Sequence, residues 1–331
     1  VGRGEDGLST SASGSGQGAA AERALGERAL AYGMQLPVQS QSTIYAEPWE
    51  ADAGPDDLVA IARAADAAGF AYVGVCDHVA VPRRLADAMG TVWYDPVATL
   101  SFLAAVTSRV RLLSHVAVIG LRHPLLTAKQ YGTLDHLSGG RLILGVGAGH
   151  VREEFEALGV DFARRGAVLD EAIDAVRSAW GADEFPSHRG KSYAFEGLGQ
   201  RPRPGRVPLW VGGSSPAAVR RAALKGDGWL PQGDPRERLP AQIERVRVLR
   251  ERAGVEGEFV VGAIAEPVYV GVPSWGVGRG GVTGSAAAVA ESLREYGEMG
   301  VRQVQVRFRS RGVSELVDQI SAFGVEVGPL L

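Results

Sequence analysis

Eight times between residues 31 and 324, an apolar run gives way to a segment whose apolar residues recur at helical spacing. The runs are AYGMQLPV (31–38), AYVGVC (71–76), VRLLSHVAVIG (110–120), RLILGVG (141–147), VPLWVGG (207–213), DGWLP (227–231), FVVGAIAEPVYVG (259–271) and VRQVQVRF (301–308). They show no polar face, the pattern of strands buried on both sides of a parallel sheet. The segments that follow them fall near 55–69, 95–108, 124–140, 162–180, 216–226, 235–254, 285–300 and 312–324. They carry helix signals: Asp56 and Asp57 in a first turn, Pro124 and Pro216 at the first helical position, Gly69 and Gly139 at the ends. Eight strand–helix pairs predict an α/β chain folded as a (β/α)8 TIM barrel. A doubly wound open sheet is the competing architecture. The absence of G-x-G-x-x-G after the first strand counts against it.

Residues 1–29 stand outside this rhythm. They are rich in Gly, Ser and Ala and nearly devoid of large apolar side chains, so they cannot bury enough surface to offset their ordering entropy. A disordered leader over 1–29 and a single barrel domain over 30–331 are expected. The net charge of −3 argues against nucleic acid or a polybasic membrane contact as partner. The longest apolar runs fall well short of the ~18 residues of a membrane span, and the N-terminus lacks the order of a signal peptide. Cys76 is the only cysteine, so no intramolecular disulfide and no cysteine-built metal site is expected, and a reducing cytoplasm fits. Neither H-E-x-x-H nor G-x-S-x-G occurs, which sets aside zinc and Ser-His-Asp hydrolysis.

In a barrel of this kind, chemistry sits where the strands end. The second strand ends in Cys76-Asp77-His78. His78 is a candidate proton donor or acceptor near neutral pH; the alternative is a structural histidine. Asp77 either orients His78 or accepts from a heterocyclic N–H, and Cys76 reads as a core filler. The third run contains Ser114-His115-Val116, with an imidazole inside an apolar strand. The fourth ends in GVGAGH, where Ala148 and Gly149 leave room for a flat ring and His150 lines the mouth or is simply exposed. The fifth ends in Gly212-Gly213-Ser214-Ser215 before Pro216, a phosphate cradle at a helix N-terminus or a tight turn with a serine cap. His123 and His136 read as structural, and Asp135 is placed to pair with Arg141. Tyr45, Trp49, Trp93 and Tyr94 are candidate substrate walls, and the glycine-rich loop 272–284 is a candidate lid.

Taken in order, CDHV, RHPLLTAKQYGTLDHLSGGRLILGVGAGH, REEFEALGVDFARRGAVLDEAIDAVRSAW, VPLWVGGSSPAAVRRAALKGDGWLP and GVRQVQVRF resemble the bacterial luciferase-like family. More narrowly, they look like its coenzyme F420-dependent branch, over residues 31 to about 325. The resemblance implies a (β/α)8 barrel, usually dimeric, with FMN or F420 in the mouth. It implies that Asp77 touches the deazaflavin ring and that His78 moves the proton beside it. Ser114, His115 and Val116 would form a bulge behind the ring, with a cis peptide at His115–Val116. Ala148 and Gly149 would line the ring, and Gly212, Gly213, Ser214 and Ser215 would hold the phosphate. His150 stands where the sugar-phosphate dehydrogenases of the branch carry a glutamate. The lysines those enzymes use are almost missing here: only Lys129, Lys191 and Lys225 occur. Glucose 6-phosphate is therefore not the expected substrate, and His150 is a second acid–base candidate. The implied reaction is hydride transfer between C5 of F420 and a small organic molecule, reducing a C=C or C=O bond or oxidising an alcohol, in a cytoplasmic homodimer. The alternatives are an FMN-dependent monooxygenase and a barrel that binds cofactor without turnover.

Overall fold

The computed structural model describes residues 30–331 apart from 41, 44 and 279. The leader expected over 1–29 lies outside the described residues. Eight parallel strands close into a barrel: β1 (Ala31–Gln35), β2 (Tyr72–Val75), β3 (Arg111–Ser114), β4 (Leu142–Val146), β5 (Leu209–Gly212), β6 (Gly228–Leu230), β7 (Val260–Ile264) and β8 (Gln303–Gln305). Each strand pairs with its sequence neighbours. β1 closes on β8 through Ala31–Gln303, Tyr32–Val304 and Gly33–Gln305. The expected (β/α)8 barrel is therefore the fold.

Helices α1 (Pro55–Ala67), α2 (Pro96–Ala104), α3 (Pro124–Ser138), α4 (Arg165–Trp180), α5 (Pro216–Lys225), α6 (Leu239–Arg252), α7 (Ala286–Glu298) and α8 (Val313–Ala322) form the outer ring. Their starts follow from local chemistry. Asp95, Ser215 and Ser285 accept from the N–H three residues on, and His123 Nδ1 accepts from Leu125 N at 3.2 Å. Gly139, with φ of 71°, ends α3 in the left-handed region that favours glycine. The outer core includes Leu58, Ile61, Leu100, Leu134, Leu169 and Ile173, all about fully buried between helix and sheet.

Side chains alternate along each strand, so every second residue points down the barrel axis. Tyr72, Leu113, Ile143, Trp210 and Leu230 fill the interior, with Tyr72 edge-on to Trp210 at 5.7 Å. Two residues further along β2, β4 and β5 the inward positions are Gly74, Gly145 and Gly212. Glycines at that level end the packed interior and open the mouth above it.

Two local expectations fail. The run 259–271 is not one strand: β7 stops at Ile264, and Val268–Val270 pairs instead with Val282–Gly284. Pro267 has no N–H to extend the ladder, and Val268 N donates to Arg307 O. Asp135 does not pair with Arg141. Its Oδ1 accepts from Leu142 N, while the Arg141 guanidinium binds Ser138 O, Val110 O and Ala104 O.

Candidate active site

A cavity of about 780 Å³ opens at the C-terminal ends of the strands. His78 enters it from the loop after β2. Its Nδ1 lies 3.0 Å from Oε2 of Glu154, a 3% exposed residue of the short helix Arg152–Ala157 after β4. The other Glu154 oxygen accepts from Val79 N at 2.6 Å and Ala80 N at 3.2 Å. Burial works to raise the Glu154 pKa, but the His78 hydrogen bond and these two N–H donors bring it below the ordinary carboxylate value. An ionised carboxylate only accepts, so Nδ1 carries the hydrogen and Nε2 is left for proton exchange. The His78 ring stands edge-on to Trp93 at 4.5 Å and to His150 at 5.4 Å. Burial, then the neighbouring His78, lowers the His150 pKa. Sequence reasoning missed Glu154; its signal was the acid pair in REEF, one residue after GVGAGH.

Asp77 also borders the cavity, but it does not orient His78, and that expectation is corrected. It is 4% exposed, and its oxygens accept from both Arg122 guanidinium nitrogens at 2.6 and 2.8 Å and from Val118 N at 2.8 Å. Both residues lie beyond the end of β2; His78 pairs with the helix after β4, whereas Asp77 bonds the segment after β3 and clamps it. Cys76 borders the cavity too, and burial pushes its thiol up to about 12, so it stays protonated.

The floor is built by the segment after β3, where the His115–Val116 peptide is cis. Val116 leans into the mouth over glycines. A Cβ on Gly147 would lie 2.6 Å, and one on Gly212 2.8 Å, from a Val116 methyl. His115 is 5% exposed, and neither ring nitrogen has a partner among the described residues. Burial brings its pKa down to about 4, so it is neutral near pH 7. Ser114 does not line the cavity; the residue is fully buried, and its Oγ exchanges hydrogen bonds with Gly145 N and O. Ala148, Gly149 and His150 form the adjacent wall.

Gly212, Gly213, Ser214 and Ser215 border the cavity at the start of α5. The serine hydroxyls are engaged within the protein: Ser214 Oγ with Gln232 N and O, Ser215 Oγ with Ala218 N. Ser214 thus gives its hydrogen to Gln232 O, whereas Ser215 Oγ only accepts and donates to no described residue, so an anion at this end would meet the Ser215 O–H and the N–H groups of the first turn. Arg165, which the sequence reading missed, is a further cation of the cavity wall. Arg165 borders the cavity, lies 3.9 Å over the Phe162 ring and donates to Phe162 O, with no carboxylate partner among the described residues. Of the four proposed aromatic walls, Tyr45, Trp49 and Trp93 line the cavity and Tyr94 does not. No described residue of 272–284 lines it either. Trp275 docks on α8, donating to Glu315 Oε1 at 3.0 Å.

Residues 31–274 match the family model of the luciferase-like monooxygenases. The chain belongs to that family. It is 36% identical over 222 residues to an uncharacterised protein of Mycobacterium tuberculosis H37Rv, covering 62% of this chain and 76% of the relative. It is 32% identical over 200 residues to the FMNH2-dependent dimethylsulfone monooxygenase of Pseudomonas fluorescens Pf0-1, covering 59% of this chain and 53% of that enzyme. Among solved structures, an F420-dependent secondary alcohol dehydrogenase superposes with a TM-score of 0.74 at 16% identity, over 91% of this chain and 99% of its own. That likeness shows the shared fold. No helix of the described residues is long and apolar enough to cross a membrane.

Proposed function

We propose that this luciferase-like oxidoreductase uses coenzyme F420 to transfer hydride to or from a small organic substrate. The reading is carried by the His78–Glu154 pair: an imidazole at the cavity whose Nδ1 is held by a buried carboxylate and whose Nε2 has no partner among the described residues. Hydride transfer to a carbonyl, or from an alcohol, must be matched by a proton at oxygen. His78 Nε2 takes that proton from an alcohol or, once protonated, returns it to a carbonyl.

The cavity residues fit the cofactor class. Val116, standing over Gly147 and Gly212, offers an apolar floor that a Cβ at either glycine would disturb. His115 offers two unpartnered ring nitrogens to polar edges of the ring, and Arg165 with the start of α5 suits a phosphate. When bound, F420 supplies a hydride acceptor or donor at C5. The protein's own part is to hold that ring and the substrate together, exclude water and move the proton. The second reading, an FMN-dependent monooxygenase, is favoured by the dimethylsulfone monooxygenase relative. We take the working unit as a cytoplasmic homodimer.

The test is turnover of secondary alcohols with F420, and of ketones with reduced F420, in the wild type, His78→Ala and Glu154→Gln. Loss of a general acid–base lowers kcat by about 10²–10⁴-fold. The expected result is such a loss in His78→Ala with F420 affinity retained, and a displaced pH profile in Glu154→Gln. Oxygen uptake with reduced FMN, and none of these reactions with F420, would replace the reading with the second one.

A further inference from the structure

The cavity has a second unpaired cation, away from the α5 end. Arg307 lies two residues beyond Gln305, the last residue of β8, and both border the cavity. In the barrel, β8 is separated from β5, and hence from α5, by β7 and β6. The carboxylates near Arg307 are occupied elsewhere. Glu47 pairs with Arg309 at 2.8 Å. Glu50 accepts from Val38 N at 2.9 Å and Glu47 N at 2.8 Å, which holds Val38 at a φ of 69°, unusual for a β-branched residue. Among the described residues no carboxylate pairs with Arg307. Its guanidinium lies over the Tyr45 ring at 5.0 Å. Beneath it Gln305 is 6% exposed, and its Oε1 has no partner among the described residues.

A half-buried guanidinium that Glu47 and Glu50 influence but that no described carboxylate pairs with, near a buried amide oxygen without a described partner, is a poor arrangement for stability alone. It is a good one for receiving an anion, because a guanidinium binds a carboxylate through two parallel hydrogen bonds. Resting on the reading of this cavity as the substrate site, we propose that the substrate carries a carboxylate. Arg307 binds that group, Gln305 hydrogen-bonds the adjoining polar atoms, and the reacting carbon lies toward His78. The substrate class is then oxo or hydroxy acids of modest size. Arg165 and Arg307 divide the work, one serving the cofactor phosphate and the other the substrate anion.

The experiment reads binding rather than turnover. Benzoate, 3-phenylpropanoate and 4-oxopentanoate are titrated by calorimetry beside their primary amides, which keep size but lose the charge. The wild type, Arg307→Gln, Arg307→Lys and Arg165→Gln are compared, with circular dichroism confirming the fold, and each is also titrated with F420. The wild type is expected to prefer at least one acid over its amide by about tenfold or more. Arg307→Gln should erase that preference and keep F420 affinity. Arg307→Lys should keep part of the preference even if Arg307→Gln folds poorly. Arg165→Gln should weaken F420 binding and leave the preference intact. No preference in the wild type, or a preference that survives Arg307→Gln, overturns the proposal. So does loss of F420 affinity in Arg307→Gln, which would assign Arg307 to the cofactor. Failure of the wild type to bind F420 while the acid preference stands would sink the cofactor reading and leave the anion site in place.

Discussion

Replacing Asp77 with Asn separates a clamp from a cofactor contact. In the structure the Asp77 carboxylate is consumed by Arg122 and Val118 N. Removing one partner of a buried ion pair costs about 3–5 kcal/mol when the other charge is left stranded. Here the stranding is incomplete. The Arg122 side chain is 19% exposed, and Asp95 Oδ2 lies 3.7 Å from it as a weak substitute. An Asn oxygen can still accept from Val118 N, so that bond is largely preserved. The loss should therefore fall below the full range, at about 2–3 kcal/mol. Urea unfolding at pH 7 measures it as a lower midpoint with an unchanged slope. F420 titration of the same variant, under conditions where it is folded, should give near wild-type affinity. A stability change under about 0.5 kcal/mol, of the size seen for surface substitutions, together with loss of F420 binding, would refute the clamp and return Asp77 to the ring.

Other consequences follow from the same cavity. Gly212→Ala would place a Cβ 2.8 Å from a Val116 methyl, so overpacking should cost about 1–3 kcal/mol and weaken cofactor binding; adding Val116→Ala should recover stability in thermal melts. His115 has a folded pKa of about 4 against an ordinary 6.5. The unfolded chain therefore takes up the proton first as pH falls. The stability this neutral histidine contributes is present above about pH 6.5 and is lost on the way down to about pH 4, roughly 2 kcal/mol of it by pH 5. His115→Gln should flatten that part of the stability–pH curve, read by urea midpoints at pH 7 and 5, and an unchanged slope would show that His115 is not buried neutral. Gly213→Asp should cut F420 affinity, because it sets a carboxylate beside the proposed phosphate end at a residue whose φ of 104° favours glycine.

The barrel was legible because its signals are periodic. Eight apolar runs without a polar face, each with a helix after it, leave few other architectures, and Pro124, Pro216 and Gly139 mark helix ends by chemistry that acts over a few residues. The positions of His78, His115, His150 and Gly212 at strand ends were legible for the same reason. What the residues do for one another was not. Asp77 and His78 are adjacent in sequence, yet past the end of β2 they take different partners, Arg122 and Glu154, 45 and 76 residues away. Ser214 and Ser215 looked alike as anion ligands, but the Ser214 hydroxyl both donates to and accepts from Gln232, whereas Ser215 Oγ only accepts from Ala218 N and keeps a hydrogen to donate. Arg165 and Arg307 gave no signal at all, since an arginine's significance here lies in lacking a partner, which only packing reveals. Pro267 was visible in the run 259–271, and its missing N–H was reason enough to divide that strand.

The central claim is that this cavity holds a deazaflavin beside His78. Its most direct measurement is fluorescence titration of the wild-type protein with F420 and, separately, with FMN. The account predicts saturable, tight binding of F420, much weaker binding of FMN, and loss of the F420 signal in Gly213→Asp. Tight binding of FMN with none of F420 would contradict it and assign the site to flavin and oxygen chemistry.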